Sequence, residues 1–136
     1  LAKEYQISPV VDIQGYIPRT EIVEVMHQSS ILLVLTTQSI AEGTHGIMGT
    51  KFFENMGVEK PVLCVRSDEE CLAQVIAQTE AGLAATEVGQ VKTFVMEKYQ
   101  EWKQNGFTRQ TARNKELFTR QRQAEQFKEL FIKCIQ

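Results

Sequence analysis

Two apolar runs without alternation, Ile-Leu-Leu-Val-Leu at 31–35 and Val-Leu-Cys-Val at 62–65 behind Pro61, constrain this chain most. A strand with one wet face alternates polar and apolar positions. An unalternated run asks for cover on both faces, which a parallel sheet between two helix layers provides. The rest of the chain supplies the helices. The pattern predicts strands at 10–13, 31–35, 62–65 and 82–85, and helices over 18–27, 46–56, 67–79, 91–104 and 111–135. Strand and helix thus alternate throughout. That order implies an α/β fold of three layers, a parallel sheet with helices on both faces. Ligands of such sheets bind beyond the C-terminal strand ends, here the loops 14–18, 36–46 and 66–67.

The chain has 136 residues, 43% of them apolar, enough for one domain with a real core. A net charge of -2 argues against a nucleic-acid partner. The longest apolar run, 31–35, is far short of the roughly 20 residues of a membrane span. The first residue is Leu1, so a fragment or a processed chain is expected. Cys64, Cys71 and Cys134 follow no metal or disulfide spacing. They read as reduced packing residues, which suggests the cytoplasm.

The segment 42–57 carries the chemistry. Gly43, Gly46 and Gly49 leave the backbone bare where a helix is predicted to open near Gly46. A helix start has free N–H groups and partial positive charge, and so holds anions. Glu54 lies four residues past Thr50 and three past Lys51, on the same face. Side chains lean toward the helix N-terminus, so its carboxylate is aimed back at the anion site. Carboxylates bind sugar hydroxyls. An anion hole with an acidic residue one turn below suits a nucleoside diphosphate and its ribose. His45 stands beside the hole. Gly57 offers a C-cap. A nucleoside-triphosphatase phosphate loop would need Gly, four residues, then Gly-Lys-Ser/Thr, and the order Gly49-Thr50-Lys51 does not supply it.

The string G-x-x-G-T-K-F-F-E-N-M-G-V-E-K-P-V-L at 46–63 resembles the donor-binding segment of group 1, retaining, two-Rossmann-domain glycosyltransferases of the family 4 type. VVDIQGYIPRTEIVEVMHQSSILLVLTT is similar to that family's strand, Gly-aromatic turn, Pro-led helix and strand ending in Thr or Ser. Glu80-Ala81-Gly82-Leu83 and FTRQRQAEQFKELF at 118–131 resemble its short strand and closing helix. The resemblance runs from about Val10 onward.

It implies a Rossmann-like donor domain spanning 1–136, with the N-terminal part and the acceptor domain missing. Such enzymes move a sugar from a nucleoside diphosphate sugar to a saccharide or lipid-linked acceptor. Carried over, Glu54 would accept from the ribose hydroxyls. The backbone of Gly46, Ile47, Met48, Gly49 and Thr50 would hold the diphosphate, with Lys51 and His45 nearby. Tyr16 and Ile17 would lie near the base, and Thr36 and Thr37 would border the crevice. The family's second glutamate, eight positions before Glu54, is Gly46 here. The earlier strand whose Arg and Lys neutralise the diphosphate has no counterpart in 1–9. The fragment alone is therefore expected to be inactive.

No tightly bound metal or other cofactor is expected. The implied partners are the donor and, through the missing domain, the acceptor. A homodimer is a further expectation, as is peripheral contact of the basic side of the last helix with acidic lipids at the inner face of the membrane. The alternatives are a nucleotide-sugar epimerase-like domain and a non-enzymatic, doubly wound regulatory module. A receiver-like module should carry an acidic cluster at its first strand end, where Asp12 stands alone. The apolar positions of the last helix, Leu117, Phe118, Ala124, Phe127, Leu130, Phe131 and Cys134, read as core, and Tyr99 and Trp102 as core or domain-edge packing.

Overall fold

The computed structural model describes residues 1–35, 49–65 and 70–135. Three parallel strands, β1 (Leu32–Leu35), β2 (Val62–Val65) and β3 (Gly82–Ala85), pair in sequence order. The helices are α1 (Arg19–Gln28), α2 (Thr50–Gly57), α3 (Glu70–Thr79), α4 (Val88–Asn105) and α5 (Arg120–Ile135). The α/β, Rossmann-like architecture read from the sequence is the one observed.

Register explains the two faces. Leu32, Val62 and Gly82 are partners, as are Val34, Cys64 and Ala84. This row meets Phe52 and Met56 of α2 and Leu72 and Ile76 of α3 to form the core. The opposite row holds Leu33, Leu63 and Leu83, and α4 packs against β3 there, leaving a groove of about 490 Å³ between Leu83 and Phe94. The cover does not reach β1, where Leu33 and Leu35 are 56% and 74% exposed. The expectation that both unalternated runs are covered on both faces therefore holds for 62–65 and fails for 31–35. Gly82 is required by packing, since a Cβ there would sit 1.9 Å from the Val62 carbonyl oxygen.

Several boundaries move for identifiable reasons. The strand predicted at 10–13 is absent: Ser8–Val10 is a 3-10 turn, and the residues after it run outside the sheet, with Val10 and Ile13 exposed. Apolar alternation cannot make a strand without a neighbour to pair with. The α2 helix begins at Thr50 rather than near Gly46, because Gly49 is extended (ψ 138°) and serves as N-cap. At its other end Gly57 stays helical, and Glu59 takes the left-handed conformation (φ 56°) instead. The α4 helix starts three residues early, at Val88, because Glu87 and Gln90 form a capping box. Gly106 (φ 78°) closes it, donating its N–H to the Trp102 carbonyl at 2.7 Å.

The last helix starts at Arg120 rather than Thr111. Asn114 is left-handed (φ 53°) and Lys115–Phe118 is a 3-10 turn, so 107–119 crosses the fold as extended chain and turns. The α5 helix buries no residue, and its chief packing partner is that 3-10 turn. Its apolar stripe is therefore surface, with Phe127 and Phe131 61% and 63% exposed. Phe118 alone of the predicted stripe packs on the core, beside Phe53. Tyr99 and Trp102 stack on each other at 6.1 Å on an exposed side of α4. Cys64 is buried as expected, while Cys71 and Cys134 are exposed rather than packed; none of the three is in a disulfide.

Candidate functional site

Chain direction places the start of α2 at the C-terminal side of the sheet. The helix follows β1, runs back beneath the sheet on Phe52 and Met56, and ends before Pro61 at the start of β2. Its inner face is thus fixed by apolar contact, and its outer face by exclusion. Thr50, Lys51 and Glu54 are exposed, while Phe52, Asn55 and Met56 are buried. The predicted clustering of Glu54 with Thr50 and Lys51 on one open face is present.

Gly49, the N-cap, brings no side-chain hydrogen bond, and a Cβ built on it would meet nothing within 4 Å. Glycine is therefore not forced there by packing or by backbone angle. What it does is leave the first-turn donors uncovered by a capping side chain. The Phe52 N–H already donates to the Gly49 carbonyl at 3.2 Å, so among the described residues the Thr50 and Lys51 N–H groups are the first-turn donors without a backbone acceptor. The later helix start shifts the expected diphosphate cradle toward Gly49, Thr50 and Lys51.

Gly46, Ile47, Met48, His45, Thr36, Thr37, Glu42 and Gly43 lie outside the described residues. So does Ser67, where the helix predicted over 67–79 begins. Tyr16 is 92% exposed and Ile17 half-buried, on the segment that precedes α1. They lie outside the sheet, and the described residues put no wall behind Tyr16 to form a base pocket. Among the described residues no group of three or more His, Cys, Asp or Glu is arranged to hold a metal ion. No helix among them is long and apolar enough to cross a membrane.

Among the described residues, the carboxylates held below their ordinary value lie at the opposite end of the sheet. Glu59, in the turn before β2, pairs with Lys115 and with Arg109 at 2.7 Å. The hydrogen bond from Lys115, then that from Arg109, hold its carboxyl below the ordinary carboxylate value. Glu101 is also held low. Partial burial opposes its charge, but the Arg109 N–H at 2.9 Å and Lys98 at 2.9 Å outweigh that cost. Sequence reading passed over this cluster because its members are scattered from 59 to 115. The alternation of Glu and Lys/Arg along the chain carries no pairing information.

No family model, no curated protein and no solved structure matches this chain. The case for a function therefore rests on the residues and their placement.

Proposed function

We propose that this chain is the donor-binding part of a glycosyltransferase, one that moves a hexose-like sugar from a nucleoside diphosphate sugar to a saccharide or lipid-linked acceptor. The observation that carries the reading is the start of α2. An uncapped glycine precedes two first-turn N–H donors, and Glu54 is exposed one turn further along the same face, at the C-terminal side of a parallel sheet. In this reading the Thr50 and Lys51 backbone meets the diphosphate and Glu54 accepts from the ribose. The resemblance of 46–63 to the family's donor segment points the same way.

The protein residues would work on charge rather than form a covalent bond. As the sugar leaves, negative charge grows on the diphosphate, and dipoles already oriented toward it lower the barrier without reorganising. In this proposal the acceptor site belongs to a partner domain, and the Arg and Lys that neutralise the diphosphate to an earlier strand and helix of the donor domain. The same reading puts the enzyme in the cytoplasm at the inner face of the membrane, in polysaccharide or glycolipid assembly, with no tightly bound metal.

Ligand-observed NMR titration with UDP, GDP and ADP tests it. One of the three should bind the chain and be lost in Glu54→Ala, with circular dichroism unchanged. Equal binding by the variant would remove Glu54 from the site. No binding by any of the three would remove the donor reading for this chain.

A further inference from the structure

We infer that residues 107–118 form a strap that opens as a unit while the three-stranded sheet stays folded. The strap crosses the turns that lead into the strands, in the order of the sheet. The Thr108 hydroxyl donates to the Ser30 carbonyl ahead of β1, and the Gln110 N–H donates to the Glu59 carbonyl at 3.0 Å ahead of β2. The Arg113 N–H donates to the Thr79 carbonyl at 2.7 Å ahead of β3.

Charge fastens the same crossings. Two of these turns carry a glutamate in the left-handed conformation, Glu59 (φ 56°) and Glu80 (φ 51°). Each is held by strap cations: Glu59 by Arg109 and Lys115, Glu80 by Arg113 at 2.9 Å. Apart from Thr108 and Ala112, which are buried, and half-buried Phe118, the strap gives the core little apolar surface. Apart from Ala112 of the strap and Ala81, the buried core is built from α2, α3 and β2 side chains, whose contacts with one another do not pass through the strap. A segment held by polar bonds at the rim of an apolar core is the kind that opens below the global unfolding free energy. The strap continues into α5, so its release also frees the helix whose Phe127, Leu130 and Phe131 are exposed. None of this depends on the nucleotide reading.

Hydrogen exchange on the chain, wild type and Glu59→Gln/Glu80→Gln, tests the inference. The variant keeps every strap backbone bond and removes the charge on both anchors. The Gln110 and Arg113 amides should exchange about tenfold faster, and the Val62 and Cys64 amides of β2 at an unchanged rate. Wild-type chain in about 1 M sodium chloride should show the same selective change, since exposed ion pairs are screened there. Strap and β2 amides accelerating together would mean that the strap is part of one cooperative unit. An unchanged strap would mean that charge does not fasten it. Either result overturns the inference.

Discussion

At the N-terminal ends of the strands, residues 108–115 put hydrogen bonds on all three leading turns and ion pairs on two of them. At the C-terminal side, α2 opens with a glycine that caps nothing and exposes Thr50, Lys51 and Glu54. Among the described residues, the polar groups at the first end are paired within the chain, while Thr50, Lys51 and Glu54 at the other are exposed. Satisfied polar networks stabilise and specify a fold, whereas unfilled donors at the C-terminal side of a parallel sheet are what a ligand uses. Under the proposed donor-site reading, the difference is a division of labour across about four residues of strand.

The sharpest way to break the comparison is within α2 itself, where neighbouring positions serve the two purposes. Phe52 is fully buried, and Glu54, two residues on, is exposed. Phe52→Ala should cost about 3–5 kcal/mol, because it removes a large core side chain and leaves a cavity. Glu54→Ala should stay within about 0.5 kcal/mol of wild type. Urea midpoints of the two variants measure the gap. A large loss from Glu54→Ala would mean that its face belongs to the scaffold.

The parts legible in the sequence were those with local signals. Val62–Val65 was readable to the residue, because Pro61 and an unbroken apolar run mark it, and Gly82–Ala85 was readable from its glycine. The outward face of α2 followed from spacing alone. Long-range pairing was not legible. Residues 10–13 have strand composition, but pairing depends on a neighbour the pattern cannot name. Residues 111–119 carry helix-compatible composition, yet Arg113 and Lys115 find better partners in Glu80 and Glu59 across the fold. The stripe of α5 shows the same limit: period 3.6 says which residues share a face, not what covers it.

A smaller effect follows from the titration of Glu59. Its carboxyl is held below the ordinary value of 4.5, so the folded state binds its proton less readily than the unfolded state does. The resulting stability is fully present above the unfolded value and is lost as pH falls through the lower, folded value. The urea midpoint of wild type should therefore exceed that of Glu59→Gln near neutral pH, and the difference should shrink on acidification below about pH 4. A difference that is constant with pH would mean that the Lys115 and Arg109 contacts do not depend on the charge of Glu59.

The smallest stability change belongs to Gly49, and it probes the open end directly. Glycine at an N-cap is less favourable than serine by a few tenths of a kcal/mol, because it offers no oxygen to the first-turn N–H groups. Space is open around the position, so Gly49→Ser should fit without strain and raise stability by about that amount. The serine oxygen would then occupy the donors that the proposal reserves for a diphosphate. Stability and nucleotide affinity should move in opposite directions, read by urea midpoint and by the same NMR titration. If Gly49→Ser stabilises α2 and leaves diphosphate binding untouched, the bare helix start is an uncapped end and not a binding site.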